Sequence, residues 1–348
     1  MPKRLAITAP YQLDIIDYDD PPLQAHQVLV RTEMASGKHG TTMALLENGA
    51  FAGHRFDQET RLFVLDSVPT LAPPTPEAPW NLGTTGVGTV IATGSDVTKW
   101  QPGDRVFGLM DVRETNICDA RFIWLLGDIN PLDALCIEPA YVAFHCVRES
   151  NVRFGDSVAV IGLGALGLLA VKMAVQAGAE TVIAIDPLAA RRDLARRLGA
   201  HYAFDPVSQD AALEAHQVTN RKGVDVAIEL SGVYRGLDTA IRCARVAGTI
   251  CSAGFYQDEA KHLWLGREWH HNRLTMIVPH GCGWGHEPRD YPRWDRQRAY
   301  DTLAHLMAMG ILRDLNIINL TVGFSEATNI LEAIQKQADQ VIKYAVEF

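Results

Sequence analysis

The sequence predicts an α/β protein in which a β-rich N-terminal part precedes a doubly wound parallel sheet. Three observations support this expectation. The strand-like run Ser157 to Ile161 leads directly into a glycine-rich turn and a helical segment. Short apolar strands and helices then alternate, which is typical of a parallel sheet with helices on both faces. Upstream of residue 145, strand-like runs are instead bounded by glycine and proline turns, as in a small barrel.

The composition is that of an ordinary globular protein with room for two domains. The chain has 348 residues, of which 47% are hydrophobic and 21% charged. A formal net charge of −9 without a basic tract argues against nucleic acid or a membrane surface as partner, and favours a small-molecule substrate. The N-terminus lacks an apolar leader, and the six cysteines form no C-x-x-C pair, so we expect a cytoplasmic protein with reduced thiols.

In the N-terminal part, the elements follow from local patterns. Strands are predicted at Arg4 to Ile16, Gln27 to Glu33, Gly86 to Gly94 and Gly103 to Gly108. Between the second and third of these, residues 34–40 form a loop, and the five prolines from Pro69 to Pro79 predict a surface loop. A helix is predicted at Ile137 to Val147, with Pro139 in its first turn.

In the second part, strands and helices alternate. After the glycine-rich turn, a helix ends near Gly178 and a second strand ends at Asp186. Further strands are predicted at Val224 to Leu230, Gly248 to Ala253, Leu274 to Pro279 and Tyr344 to Phe348. Late helices are predicted from Asp295, as N-cap, to Gly310 and from about Ser325 to Gln337.

The glycine-rich turn predicts a dinucleotide site. Gly162, Gly164 and Gly167 have G-x-G-x-x-G spacing, which permits a tight turn, close approach of a pyrophosphate and close packing of helix on strand. The diphosphate is expected on the free N–H groups at the start of the following helix, which includes Ala165 and Leu166.

The end of the second strand predicts NAD rather than NADP as the cofactor. Asp186 lies 19 residues after Gly167, where a carboxylate can accept hydrogen bonds from both adenosine ribose hydroxyls and repel a 2′-phosphate. Arg191 follows closely and is a further cofactor contact. An arginine can also hold a phosphate, so Arg191 weakens the preference for NAD over NADP.

Taken together, these segments resemble the medium-chain dehydrogenase/reductase family over nearly the whole chain. The resemblance is greatest to the polyol, threonine and alcohol dehydrogenase branch. It lies in the segments Gly83 to Gly94, Gly103 to Val106, Ile137 to Ala140, Gly162 to Gly167 and Gly248 to Gly254. It implies a GroES-like catalytic domain at residues 1–145, a Rossmann domain at 146–281 and a C-terminal return to the catalytic domain at 282–348. It also implies a homodimer or homotetramer, paired through the edge strand at Leu274 to Pro279.

Zinc-dependent members of the family hold the metal with a Cys, a His and often a Glu, and the corresponding positions here are Ser36, Thr84 and Glu138. Hydroxyls are poor zinc ligands, so we expect no catalytic zinc and treat Ser36 and Thr84 as substrate contacts. The cysteine-rich lobe that holds a structural zinc in the family is also missing, where Cys118 stands alone. A histidine such as His39 folding back beside Glu138 remains the alternative.

Without a metal, a side chain must handle the proton of the alcohol. In the family a hydroxyl two positions after the first ligand relays this proton, and the position is occupied here by Lys38. Lys38 is therefore our candidate acid or base, with Glu138 as its charged partner and His39 as a second candidate. An ordinary surface lysine is the competing interpretation of Lys38.

The resemblance also implies contacts at the ends of the later Rossmann strands. Ser231, Gly254 and His280 are expected to contact the cofactor, and Trp284 the substrate. The favoured function is a zinc-independent, NAD-dependent oxidoreductase acting on a secondary alcohol of a polyol, cyclitol or sugar-like substrate. The alternatives are an NAD(P)H-dependent quinone or enoyl reductase and a catalytically inactive dinucleotide-binding protein.

Overall fold

The computed structural model of the protein describes residues 1–38, 40, 42, 46, 53–66, 72–279 and 288–348. Its first part is rich in strands, as expected. These are β1 (Lys3–Ala9), β2 (Gln12–Asp17), β3 (Gln27–Ser36), β4 (His54–Phe56), β5 (Phe63–Leu65), β6 (Trp80–Asn81), β7 (Thr85–Thr93), β8 (Arg105–Gly108), β9 (Thr115–Asp119) and β10 (Ile123–Leu125). Two helices follow, α1 (Pro131–Ala134) and α2 (Ile137–Glu149).

The second part alternates strands and helices. Its elements are β11 (Ser157–Ile161), α3 (Ala165–Gln176), β12 (Thr181–Ile185), α4 (Ala189–Arg197), β13 (Tyr202–Phe204), α5 (Ala211–Val218), β14 (Val224–Glu229), α6 (Tyr234–Cys243), β15 (Ala244–Ser252), α7 (Glu268–His271) and β16 (Thr275–Ile277). The chain ends with α8 (Arg296–Ala308), β17 (Ile318–Gly323), a 3₁₀ helix (Phe324–Asn329), α9 (Ile330–Lys336) and β18 (Lys343–Glu347).

The second part forms a six-stranded sheet in the order β13-β12-β11-β14-β15-β16. All of its strand pairs are parallel. The prediction of a doubly wound Rossmann sheet is therefore confirmed. In such a sheet the ligand crevice lies at the carboxyl ends of the strands where the order reverses, here beyond β11 and β14.

The larger N-terminal sheet has the order β10-β8-β7-β3-β18-β17, with β9 also paired to β3. The terminal strand β18 runs antiparallel to the end of β3, with Val346 opposite Ala35. The last residues of the chain are thus built into the N-terminal sheet. This pairing brings the C-terminus beside the loop that leaves β3.

Helix α2 belongs to a hydrophobic core that includes residues of both sheets. Most of its side chains are buried, and it packs against α3 on one side and α8 on the other. Tyr141 of α2 stacks on Tyr300 of α8 with ring centroids 4.4 Å apart. The expected domain boundary at residue 145 falls inside this continuous helix.

Three local expectations differ from the structure. The loop predicted at residues 34–40 begins only after Ser36, where β3 ends. The predicted strand Arg4 to Ile16 is a hairpin, since Tyr11 adopts a positive φ of 65° and reverses the chain between β1 and β2. The predicted helix Ser325 to Gln337 begins with a 3₁₀ segment and becomes α-helical only at Ile330. Among the described residues, no helix is both long and apolar enough to cross a membrane.

Candidate active site

The turn between β11 and α3 forms a cradle that depends on its glycines. Gly162 has a φ of +86°, and a Cβ there would lie 2.5 Å from the backbone nitrogen of Ser231. A Cβ on Gly167 would lie 1.9 Å from the carbonyl oxygen of Gly162. Gly164, by contrast, has no atom within 4 Å of its Cβ position, so its outer side is open. The tight turn at Gly162 and the close packing at Gly167 are thus observed, while the approach of a pyrophosphate at Gly164 stays a prediction.

Helix α3 begins at this cradle with free backbone donors. Gly164 is its N-cap and supplies no side-chain hydrogen bond, and the first turn, which contains Ala165 and Leu166, has no acidic side chain. The first N–H groups of a helix lack intrahelical partners, and the helix dipole adds positive potential there. An anionic group is favoured at this point.

A groove of about 660 Å³ extends from the cradle along the ends of β11, β12 and β14. It is lined by five of the ten predicted cofactor residues. Its lining includes Gly162, Gly164, Asp186, Arg191, Ser231 and Arg235. The groove lies at the switch point of the sheet, where a dinucleotide is expected.

Asp186 is held rigidly at the edge of this groove. Its Oδ2 accepts a hydrogen bond from the backbone N of Leu163 and its Oδ1 one from the backbone N of Leu188, both 2.8 Å long. The residue is only 4% exposed. Arg191 lies with its Nη1 4.0 Å from Oδ2, while its Nη2 is 3.4 Å from the carbonyl oxygen of Val341.

Glu229, which the sequence analysis did not single out, organises the opposite wall. It is fully buried at the end of β14, and its Oε1 accepts hydrogen bonds from the backbone N of Ser231 and from the Ser231 hydroxyl. Its Oε2 accepts a hydrogen bond from Tyr256, and a Cβ on Gly254 would lie 2.5 Å from that oxygen. Burial raises the pKa of Glu229, and the hydrogen bonds act against this rise. Of two predicted cofactor residues, Ser231 is thus held by this carboxylate and Gly254 lies close against it.

A second centre lies where β3 ends and α2 begins. The Lys38 Nζ forms an ion pair with Oε1 of Glu138, and their side chains are 24% and 10% exposed. The Glu138 Oε2 is buried and has no hydrogen-bond partner in the described part of the chain. The structure therefore brings together the two residues that the sequence analysis assigned to proton transfer.

Ser36 and Thr84 lie next to each other at the end of β3. The backbone N of Thr84 donates to the carbonyl oxygen of Ser36 over 2.9 Å. The Ser36 side chain is fully buried, and its hydroxyl donates to the carbonyl oxygen of Tyr344 over 2.5 Å. Because that hydroxyl is engaged with the backbone, contact of Ser36 with a substrate stays a prediction, as does that of the half-buried Thr84.

Lys343 is a further cation near the same pair, and the sequence analysis missed it. It lies on β18, is 3% exposed, and donates from Nζ to the carbonyl oxygen of Gly37 over 2.9 Å. Burial lowers the pKa of Lys343 to about 8, while Cys136 and Glu138 act in the opposite direction and Lys38 adds to the lowering. A lysine inside the apolar run Val341 to Val346 was the available signal.

Tyr300 of α8 is another neighbour of Glu138 that was missed. It is 3% exposed and also contacts Trp124, with ring centroids 5.6 Å apart. Burial raises the pKa of Tyr300 strongly, and the negative charge of Glu138 raises it further. The Tyr300 phenol therefore stays protonated beside the Glu138 carboxylate at ordinary pH.

Three candidate residues, His39, His280 and Trp284, lie outside the described residues. Their predicted roles stay predictions. Across the ranges that the structure does describe, no group of three or more His, Cys, Asp or Glu side chains is arranged to hold a metal ion.

Comparison with protein families matches both parts of the chain. Residues 24–128 match the alcohol dehydrogenase GroES-like domain, and residues 165–294 match the family described as zinc-binding dehydrogenase. The chain is 35% identical over 354 residues to D-guloside 3-dehydrogenase of Escherichia coli (strain K12), covering 99% of this chain and 100% of that protein. It is 30% identical over 210 residues to sorbitol dehydrogenase of Bacillus subtilis (strain 168), covering 51% of this chain and 60% of that protein.

Solved structures share the fold. Galactitol-1-phosphate dehydrogenase from Escherichia coli has a TM-score of 0.77 at 19% identity, with coverage of 99% of this chain and 100% of that one. The 2R,3R-butanediol dehydrogenase from Bacillus subtilis has a TM-score of 0.76 at 20% identity, with both chains covered completely. A zinc-binding dehydrogenase from Sinorhizobium meliloti 1021, solved with NADP, has a TM-score of 0.78 at 21% identity, covering 100% of this chain and 99% of that one.

Proposed function

The chain belongs to the medium-chain dehydrogenase/reductase family, and on this premise we propose that it is an NAD-dependent dehydrogenase that oxidises a secondary alcohol without zinc. The proposed substrates are polyols, cyclitols and sugar-like molecules. D-guloside 3-dehydrogenase and sorbitol dehydrogenase are named for carbohydrates that carry secondary hydroxyls, which supports this substrate class. The observation that carries the proposal is the ion pair between Lys38 and Glu138, the residue that the family resemblance places at a metal-ligand position.

The residues of the groove fit NAD. The open side of Gly164 and the free N–H groups of α3 suit the diphosphate, and Asp186 suits the adenosine ribose. A fixed carboxylate at the ribose disfavours a 2′-phosphate, which supports NAD over NADP. Bound NAD would supply the hydride acceptor.

The described residues of the second centre do not fit zinc, while His39, the alternative ligand, lies outside them. Two of the three ligand positions carry hydroxyls, and the Ser36 hydroxyl already donates to a carbonyl oxygen. The third position, Glu138, is paired with the Lys38 ammonium and has the Lys343 ammonium nearby. Two cations beside the one carboxylate oppose the binding of a third, and the hydroxyls are weak ligands for this metal. We therefore derive no step through zinc.

Lys38 is the proposed proton carrier. In the direction of oxidation, the neutral Lys38 amine takes the proton of the substrate hydroxyl as the carbon-bound hydrogen leaves as hydride. In reduction, the Lys38 ammonium gives a proton to the oxygen of the carbonyl. Glu138 orients Lys38 through the ion pair when Lys38 is an ammonium and by accepting an N–H hydrogen bond when Lys38 is an amine. The ammonium returns its proton to solvent between turnovers.

The chain is also proposed to form a homo-oligomer. Strand β16 lies at the edge of the Rossmann sheet, where it pairs only with β15 among the described strands. An edge strand offers unpaired backbone groups to a second copy across a two-fold axis. Sedimentation analysis that found only monomers would contradict this part of the proposal.

The experiment that tests the proposed function is a substrate panel. Sorbitol, xylitol, myo-inositol and methyl glucopyranosides are incubated with purified protein and either NAD or NADP, and reduced cofactor is measured. We expect NAD-dependent turnover with at least one of them in metal-free protein, checked by elemental analysis and treatment with a chelator. Stoichiometric zinc whose removal abolishes turnover would contradict the zinc-free proposal, and turnover with quinones or enones alone would favour the reductase alternative.

A further inference from the structure

Lys343 is a buried lysine whose position the proposed function does not explain. Burying an ammonium is unfavourable unless hydrogen-bond acceptors and negative charge surround it. The acceptor is the carbonyl oxygen of Gly37, 2.9 Å from Nζ. Glu138 is the carboxylate that interacts with it electrostatically. Lys343 thus forms a hydrogen bond with the residue before Lys38 and interacts electrostatically with Glu138, the ion-pair partner of Lys38.

Besides Lys38, a second cation, Lys343, interacts with Glu138. One of its carboxylate oxygens pairs with Lys38, while the other is buried without a hydrogen-bond partner among the described residues. A carboxylate in this state is strongly affected by any nearby charge, because the protein interior screens poorly. Lys343 supplies a second cation to the same carboxylate.

Strand β18 also holds two consecutive residues that precede Lys38. The carbonyl oxygen of Tyr344 accepts the hydroxyl of Ser36, and the side chain of Lys343 holds the carbonyl of the next residue, Gly37. A Cβ on Gly37 would lie only 2.4 Å from Oη of Tyr344, so the loop passes directly against that ring. The chain preceding Lys38 is therefore fixed by the terminal strand.

We propose that Lys343 is a positioning residue of the proton-transfer site, which holds Lys38 against Glu138 by fixing the Gly37 carbonyl and by balancing the Glu138 charge. Lys343 acts through Lys38 and Glu138 and does not itself touch the substrate. This inference rests on the proposed function, because it concerns the residue that carries the proton there. It assigns a role in the reaction to the last strand of the chain, 306 residues from the loop that it holds.

A structural experiment tests the inference without any need for turnover. Crystal structures are determined for Lys343→Met, which removes charge and donor, and Lys343→Gln, which keeps an N–H donor. Lys336→Met is the control, since Lys336 is 70% exposed on α9 and pairs with the exposed Glu332 four residues earlier. We expect Lys38 and Glu138 to separate beyond 4 Å in Lys343→Met and to stay paired in the control. A preserved pair in both Lys343 variants would overturn the inference.

A kinetic experiment then separates positioning from general stability. With the best substrate of the panel, we expect Lys343→Met to lower kcat roughly 10- to 100-fold and to leave the KM for NAD within about twofold. In a Lys38→Met background the same change is expected to cost little, because residues that act as a unit are not additive. Equal losses of kcat in both backgrounds, or an unchanged kcat in Lys343→Met, would overturn the inference. Lack of turnover in the unmodified protein would instead contradict the proposed function, and the crystal structures would still decide the role of Lys343.

Discussion

The Oδ2 atom of Asp186 accepts a 2.8 Å hydrogen bond from the backbone amide of Leu163, the residue between the first two glycines of the cradle. This bond joins the two parts of the groove that are proposed to hold the diphosphate and the adenosine ribose. The Asp186 carboxylate therefore has a fixed direction before any ligand binds. Preorganised acceptors of this kind give specificity at a low entropic cost.

Replacing Asp186 with Ser is expected to weaken discrimination between NAD and NADP. A hydrogen bond to a charged group contributes about 1.5–3 kcal/mol, so we expect the ratio of kcat/KM for NAD to that for NADP to fall roughly 10- to 100-fold. Steady-state kinetics with both cofactors measures this ratio. Asp314→Asn is a suitable control, since the Asp314 side chain is 85% exposed. An unchanged ratio in Asp186→Ser would show that another residue selects the cofactor.

Replacing Lys38 with Met is expected to lower kcat by a factor on the order of 10² to 10⁴, because general acid or base catalysis contributes about that much. The substitution also leaves the buried Glu138 carboxylate without its ion-pair partner. For that reason the thermal unfolding midpoint is recorded beside kcat, and Lys38→Met/Glu138→Gln serves as the charge-matched control. A kcat within threefold of the unmodified protein would remove Lys38 from the mechanism.

The glycine cradle and the alternating strands could be predicted from the sequence because they depend on local chemistry. Gly162 must adopt a positive φ, and Gly167 must lie against a carbonyl oxygen, whatever the rest of the chain does. The run of short apolar strands specifies a parallel sheet in the same local way. Asp186 could be predicted as a cofactor residue because it lies at the end of one such strand. The fold class and the family assignment were accordingly confirmed.

Lys343 and Glu229 could not be found in this way, because their surroundings are made by distant segments. Lys343 meets Gly37 only because β18 pairs with β3. Glu229 meets Tyr256 only because β14 and β15 end side by side. In the sequence each is one charged residue at an apolar strand, and a strand pattern does not reveal which groups compensate a buried charge. The hairpin at Tyr11 was missed for a related reason, since a left-handed tyrosine has no strong sequence signal.

The depressed pKa of Lys343 predicts a specific dependence of stability on pH. The folded-state pKa of about 8 lies below the ordinary value of 10.5, so between these values the unfolded chain binds more protons than the folded chain. The contribution of Lys343 to the free energy of unfolding therefore rises with pH across that window. Below about pH 8 the full cost of burying its positive charge is present. This pH dependence is measured by denaturant unfolding of the unmodified protein and of Lys343→Met at matched pH values from 7 to 10.5. We expect the difference in unfolding free energy to shift in favour of the unmodified protein by up to about 3 kcal/mol across the window. A flat difference would show that Lys343 titrates normally.

The contact between Gly37 and Tyr344 predicts that the Lys38 loop has no room for a larger residue. An alanine Cβ at position 37 would lie 2.4 Å from Oη of Tyr344, which forces either the loop or the ring to move. We expect Gly37→Ala to lower kcat at least tenfold, because small displacements of a catalytic group are costly. Gly266→Ala is the control, since nothing lies within 4 Å of its Cβ position. The double variant Gly37→Ala/Tyr344→Phe lacks the Tyr344 hydroxyl, which relieves the clash. We expect it to regain much of kcat, which is measured for the double variant and for each single variant. The loss of kcat in each variant is expressed as a free energy. If the loss in the double variant equalled the sum of the losses in the two single variants, the clash with Tyr344 would not be its cause.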